Sequence, residues 1–249
     1  LEIRLDELRQ DQQAGREVQR RMLPENQAQI GGIEFQYNIL PSLYLSGDFV
    51  DYFPVTNEKV LFYIADVSGH GASSAFVTVL LKNMTNRLRR NLKRQSSDDI
   101  LYPEQVLDRI NRELVDARLG KHVSMFLGLI DLPTSVLSYS VGGQFPMPIL
   151  KNAQGTRYLE GRSQPAGLFI GAEYQCHQVE LGDEFELIVL SDGILEVLPQ
   201  KRLAEKEACL LEMVEKQQLK AAPLKELLAL NDGKEVPDDI TLLTLSRIC

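Results

Sequence analysis

The chain has 249 residues, of which 44% are hydrophobic, and this suffices for one large globular domain with a filled core. Its net charge of −8 and pI of about 5.1 argue against nucleic-acid backbone binding as the main activity. Three widely spaced cysteines form neither a disulfide framework nor a zinc pattern, and no apolar run reaches the ~20 residues that span a bilayer. We therefore expect reduced thiols in a cytoplasmic protein that binds neither nucleic acid nor membrane.

Residues 1–23 are predicted to form a charged helix that stops at Pro24. Its seam follows alternating steps of four and three, at Leu1, Leu5, Leu8, Gln12, Gly15, Gln19 and Met22. This spacing is typical of a coiled coil, although three of the seven positions are not apolar. Two interpretations stay open: a solvated helix packed on its own domain, or a dimerising linker from an upstream domain. Because the chain begins without Met, we expect it to be a fragment of a longer protein.

Extended segments follow the helix. Ile33–Leu40 alternates in part, and Leu43–Phe53 carries the acidic sequence GDFVD. Asn57-Glu58 forms a turn, and Val60–Asp66 is rich in β-branched and aromatic residues. A run of this kind, apolar on both sides, is typical of a strand buried on both faces. We expect these strands to form an antiparallel meander.

Two amphipathic helices are predicted next, from about Ala72 to Leu92 and from Pro103 to about Gly120. Short strand candidates then lie between Gly, Pro and Asn turns, at Ser124–Ile130, Ser135–Val141, Met147–Leu150, Arg157–Glu160, Gln175–Glu180 and Glu184–Leu190. Residues 203–230 are predicted to be helical with a break at Pro223, and Ile240–Leu245 to be a closing strand. Without internal repeats or interior linkers, residues 24–249 are expected to form one α+β domain.

Acidic residues recur at the edges of apolar strands. They are Asp48 and Asp51, Asp66, Asp192, and Asp238 with Asp239. Any one of them alone is typical of a turn or a cap. If they converge, their carboxylates would repel one another and shift strongly in pKa unless a cation lay among them.

The residue types select the cation. Carboxylate sites without paired His or Cys suit magnesium or manganese and not zinc. Two such ions held ~4 Å apart by a shared carboxylate activate water and bind phosphoryl oxygens, which is the chemistry of phosphate-ester hydrolysis. The sequence has no Cys nucleophile, Ser triad or Walker loop to compete, since the turn at 68–71 lacks the Lys-Ser/Thr of a P-loop.

Four motifs taken together resemble the PPM-type metal-dependent protein phosphatases, and in particular their SpoIIE/RsbU branch, which regulates bacterial partner-switching modules. They are GDFVD (47–51), ADVSGHG (65–71), SDG (191–193) and DDITLL (238–243). EVQRRMLP (17–24) and QPAGLFIG (164–171) also resemble segments of this branch. The resemblance extends over residues 17–248.

The resemblance implies an α-β-β-α sandwich of two antiparallel sheets flanked by helices. It also implies two Mn²⁺ or Mg²⁺ ions, with a third left open, and a catalytic centre at Asp66 and Asp192. The implied ligands are Asp66 to both ions, Asp48 and the Val67 carbonyl to the first, and Asp192 and Asp238 to the second. Asp239 stands where relatives often have Asn and ranks behind Asp238, and Asp51 is expected to reach the first ion through water.

The chain departs from the branch in two places. Gly142–Pro146 replaces a turn that resembles His-Asn-Pro-Pro, and His70 replaces a common Lys. In distant relatives a His near the second motif acts as a general acid, but that position is Ser68 here, so His70 is expected to pack in the turn.

The leading hypothesis is a phosphoserine/phosphothreonine protein phosphatase whose substrate is a STAS-type anti-sigma-factor antagonist. The alternative is a catalytically weak or inactive adaptor that uses the same fold to bind a regulator. A third hypothesis, compatible with the first, is an output domain under the control of an upstream receiver or sensor domain. In that case the N-terminal helix would form a homodimer.

Overall fold

The computed structural model describes residues 2–43, 45–69, 71–219 and 236–247, without the side chains of residues 2–11. Its helices are α1 (Glu2–Met22), α2 (Ala72–Lys93), α3 (Pro103–Ala117), α4 (Gly193–Val197) and α5 (Leu203–Glu215), with a 3₁₀ turn at Asp99–Leu101. Its strands are β1 (Gln27–Ile30), β2 (Ile33–Leu40), β3 (Asp48–Pro54), β4 (Lys59–Val67), β5 (Val123–Asp131), β6 (Val136–Gly142), β7 (Ile149–Asn152), β8 (Gly155–Tyr158), β9 (His177–Glu180), β10 (Phe185–Leu190) and β11 (Ile240–Arg247).

The strands form two antiparallel sheets. One has the order β1-β2-β11-β10-β7-β8 and the other β3-β4-β5-β6-β9. The predicted meander is confirmed only for its last two strands, because β3 pairs with β4 whereas β2 pairs with the closing strand β11. Local patterning locates the strands, but the choice of sheet depends on a partner at the far end of the chain.

Three apolar cores separate four layers. Phe62 and Leu243 belong to the core between the sheets. Leu81 of α2 and Ile110 of α3 pack on the outer face of the five-stranded sheet, and Leu210 of α5 packs on the outer face of the other. The order helix–sheet–sheet–helix confirms the predicted α-β-β-α sandwich.

The strand predicted to be buried on both faces is central. Residues 60–65 of β4 are all buried, with Phe62 in the inter-sheet core and Tyr63 in the core beneath the helices. The predicted strand Leu43–Phe53 begins only at Asp48, while β1 and the short helix α4 were not predicted. The break at Pro223 lies outside the described residues.

The second half of α1 packs on its own domain. Gln19 is buried and donates its side-chain amide to the Ser46 carbonyl at 2.7 Å and to the Thr78 hydroxyl at 3.1 Å. A Cβ atom on Gly15 would touch Leu45 at 3.4 Å. Two of the seam positions therefore contact the domain itself, and pairing of the first half with another helix stays a prediction. Within the described residues, no helix has the length and apolar character to cross a membrane.

Candidate metal centre

Two of the predicted ligands face each other across a strand pair. The antiparallel register of β3 and β4 places Asp48 opposite Asp66 near the end of the ladder. Burial and then the charge of Asp66 raise the pKa of Asp48 well above its usual range. Burial and then the charge of Asp192 raise the pKa of Asp66 to about 7. Both carboxyls are thus destabilised in their ionised form.

The other sheet brings two more carboxylates to the same rim. Strand β10 ends at Leu190, and Asp192 stands immediately before α4 without using its side chain as a cap. Asp192 shares a side-chain hydrogen bond with Asp66, and burial followed by the charge of Asp238 raises its pKa. The charge of Asp238 also acts on Asp66. The structure therefore brings Asp48, Asp66, Asp192 and Asp238 together at one rim of the sandwich.

Two glycines allow the segments of this rim to meet. A Cβ atom on Gly193 would collide with the main-chain oxygen of Asp239, so glycine lets the turn after β10 lie against the start of β11. A Cβ atom on Gly47 would lie 2.8 Å from the Val67 carbonyl oxygen. Because position 47 has no side chain, the approach to this predicted main-chain ligand stays open.

Asp239 uses its carboxylate differently from its neighbours. One oxygen accepts hydrogen bonds from the Ser42 amide at 2.7 Å and the Ser42 hydroxyl at 2.9 Å. The other accepts from the Ser46 hydroxyl and the Gly47 amide, both at 2.8 Å. A carboxylate offers about four acceptor positions, and all are occupied. This geometry does not favour Asp239 as an ion ligand, and it makes Asp239 the anchor of the segment that leads into Asp48.

Further polar residues, which the sequence analysis did not single out, hold the rim. Thr241 of β11 donates its hydroxyl to Asp48 at 2.5 Å and so links the two sheets. Gln144, in the turn that departs from the family pattern, donates to the Leu190 carbonyl at 2.7 Å and supports the end of β10. These contacts join segments that are distant in the sequence, so local patterns could not predict them. Only the position of Thr241 within the DDITLL motif could have indicated that it belongs to the site.

The turn after β4 is held by a lysine. Lys121 donates to the Ser68 carbonyl at 2.8 Å and to the Ser74 hydroxyl at 3.2 Å. The Ser68 hydroxyl accepts a hydrogen bond from the His122 amide at 3.1 Å. His70 lies outside the described residues, so its predicted role in packing the turn stays a prediction.

The four carboxylates of the rim are neighbours, but their side chains do not surround a common ion position. Within the part of the chain that the structure describes, no three His, Cys, Asp or Glu side chains are grouped closely enough to enclose an ion as they stand. Asp48 is bonded to Thr241, and Asp66 is bonded to Asp192. The donor set nevertheless fits a hard divalent cation, because it consists of carboxylates and a main-chain carbonyl. A cation would also relieve the repulsion that raises the carboxyl pKa values.

The expectation that Asp51 reaches an ion is wrong. Asp51 lies three residues after Asp48 on β3, and side chains alternate along a strand, so the two point to opposite faces. Both oxygens of Asp51 accept hydrogen bonds from the Lys82 ammonium of α2, at 2.8 and 2.7 Å. Burial raises the pKa of Asp51, and the charge of Lys82 opposes this effect.

The layered sheets and the acidic rim define a PP2C-like domain. The SiaA-PP2C domain of Pseudomonas aeruginosa matches over 100% of both chains with a TM-score of 0.74 and 18% sequence identity. The structure of RsbX in complex with magnesium matches 86% of this chain and 94% of its own, with a TM-score of 0.60 and 16% identity. These identities support a shared fold.

Sequence comparison defines the family. Residues 56–248 match the family Stage II sporulation protein E (SpoIIE), and the chain belongs to this family, which confirms the resemblance. The phosphoserine phosphatase RsbP of Bacillus subtilis (strain 168) is 27% identical over 170 residues. That match includes 66% of this chain and 40% of RsbP, so the chain covers less than half of its relative.

Proposed function

We propose that the domain is a metal-dependent phosphoserine/phosphothreonine protein phosphatase. The observation that carries this proposal is a group of carboxyls at one rim whose pKa values are raised by burial and then by the charges of neighbouring carboxylates. Such a group of ionised carboxyls lowers the stability of a fold unless a cation offsets their negative charge. Membership of the SpoIIE family and similarity to a phosphoserine phosphatase support hydrolysis as the use of that cation.

In this proposal Asp66 would be a ligand of both of two Mn²⁺ or Mg²⁺ ions. Asp48 and the Val67 carbonyl would hold the first ion, and Asp192 and Asp238 would hold the second. When bound, such ions lower the pKa of water to make a nucleophile and offset the charge of phosphoryl oxygens. The chain itself supplies orientation, because the hydroxyl of Thr241 fixes one oxygen of Asp48. The number of ions, including a third, belongs to the proposal.

The proposed substrate is a phosphorylated STAS-type anti-sigma-factor antagonist. Control by an upstream receiver or sensor domain, and a homodimer formed by the N-terminal helix, are part of the same proposal. A phosphorylated antagonist should release phosphate faster than an unrelated phosphoprotein at equal concentration. Equal rates would argue against this substrate class.

The test of hydrolysis is phosphate release from p-nitrophenyl phosphate with and without Mn²⁺. Asp192→Asn should lower kcat about 10²–10³-fold, comparable to the loss of one group that stabilises a transition state. Asp183→Asn, a change of the same type at an exposed position before β10, should keep the wild-type rate. An Asp192→Asn variant with the wild-type rate would rule out this mechanism, and an inactive wild type that still binds its partner would indicate the adaptor.

A further inference from the structure

A cavity of about 240 Å³ lies beside the acidic rim, between α1 and β2. Arg16 and Arg20 of α1 form one wall, Tyr37 and Asn38 of β2 form another, and Asp48 also lines the cavity. Two arginine residues therefore line the same cavity as one of the proposed metal ligands. The sequence alone identified no residue for the substrate phosphate, because Arg and Lys residues are numerous and none lies in the four acidic motifs.

The side chains of Arg16 and Arg20 are both exposed. Within the described part of the chain, neither forms a hydrogen bond or an ion pair. Arg21, the next residue along the helix, instead donates to Glu17 one turn earlier at 3.1 Å. Arg16 and Arg20 are four residues apart, a spacing at which like charges on a helix repel. An anion bound between them would remove that repulsion.

The helix is fixed where these arginines lie. Gln19 donates to the Ser46 carbonyl at 2.7 Å and accepts from the Ser46 amide at 3.3 Å. Ser46 stands two residues before Asp48 and donates its hydroxyl to Asp239. Hydrogen bonds from Gln19 therefore fix this part of α1 against the segment that leads into Asp48.

We propose that Arg16 and Arg20 bind the phosphoryl group of the substrate in this cavity, an inference that rests on the proposed phosphatase function. Guanidinium groups donate paired N–H bonds that match two phosphate oxygens, so two arginines can hold one phosphate. Ionised carboxylates of the rim would repel the same anion unless divalent ions offset their charge. With such ions bound, phosphate would lie between the arginines and the rim.

Inorganic phosphate is the probe, titrated by calorimetry into the protein in the presence of Mg²⁺. Arg16→Ala and Arg20→Ala should each weaken phosphate binding about 10-fold to 100-fold, as expected for a charge-assisted hydrogen bond. Arg21→Ala is the matched control, and it should bind phosphate as the wild type does. Lysine at either position should recover part of the affinity because it restores the charge without the paired donors.

A second measurement separates this inference from the proposed function. With a phosphoserine peptide, the two arginine variants should raise KM more than they lower kcat, at unchanged Mg²⁺ affinity. Variants with wild-type phosphate affinity and KM would overturn the inference and leave the phosphatase proposal intact. A wild type without turnover whose phosphate binding still requires both arginines would support the anion site and refute hydrolysis. Loss of phosphate binding in Arg21→Ala as well would overturn the assignment.

Discussion

Asp48 and Asp51 belong to the same motif and the same strand, yet their environments are opposite. Asp48 lies among other carboxylates, and the charge of Asp66 raises its pKa further after burial. Asp51 is equally buried, but both its oxygens contact the ammonium group of Lys82. Asp51 has a cation within the fold, whereas the proposed function gives Asp48 a divalent cation from solution. We infer that a buried aspartate without a basic partner in the fold is a better candidate for a metal ligand than a buried aspartate that has one.

The largest effect on stability is expected at Asp51. Lys82→Met should lower the free energy of unfolding by about 3–5 kcal/mol, because it leaves a buried carboxylate without its partner. Denaturant unfolding measures this loss, and Lys93→Met, at an exposed position of the same helix, is the control. Replacing Asp51 by Leu in the Lys82→Met variant should recover most of the stability. A Lys82→Met variant as stable as the control would remove the contrast between the two aspartates.

Substitutions at the adjacent residues Asp238 and Asp239 should have different effects: one should weaken metal binding and the other should lower the stability of the metal-free protein. Asp239→Ala leaves four donors of the 42–47 segment without an acceptor and should lower the metal-free stability by about 1–3 kcal/mol. Asp238→Asn removes an exposed, repelling charge but keeps an acceptor for the Asp239 amide, so it should weaken Mn²⁺ binding without lowering that stability. Calorimetry and denaturant unfolding in EDTA test both variants. The opposite pattern would make Asp239 the ligand and Asp238 the anchor.

The acidic rim should also give the metal-free protein an unusual pH dependence. Between pH 3.8 and about 7 folded Asp66 keeps a proton that the unfolded chain has lost. Its contribution to stability therefore falls as pH rises through this window, by at most about 1.4 kcal/mol per unit. In EDTA the stability of the wild type relative to Asp66→Asn should decline from pH 4 to 7, and Mn²⁺ should abolish the decline. A relative stability that rises over this range would contradict the raised pKa.

The smallest effect on stability is expected at the surface pair of Lys59 and Asp131, where the pKa of the carboxyl is lowered and not raised. Hydrogen bonds from Lys59 and then Thr134 lower the pKa of Asp131 to about 2. Its contribution is present above pH 3.8 and is lost as pH falls towards 2. Asp131→Asn should lower the stability at pH 7 by about 0.2–1 kcal/mol, because the pair is partly exposed. Thermal unfolding at pH 7 and pH 2 checks this, and a larger loss at pH 2 than at pH 7 would contradict it.

Some of this organisation could be predicted from the sequence. The motifs around Asp48, Asp66 and Asp192 indicated both the layered fold and the acids of the rim. Strand alternation could also have excluded Asp51 from the rim, since it lies an odd number of positions from Asp48. The anchoring role of Asp239 could not be predicted, because its donors lie in a segment near the other end of the chain. The same holds for the pairing of β2 with β11, which depends on long-range contacts.

The most direct test is an anomalous-scattering map from crystals soaked in Mn²⁺. We predict two peaks at the rim: one bound by Asp48 and Asp66, and one by Asp66, Asp192 and Asp238. Asp51 should stay bonded to Lys82 in the same map. A map with manganese elsewhere on the protein and none at these carboxylates would contradict the proposed metal centre.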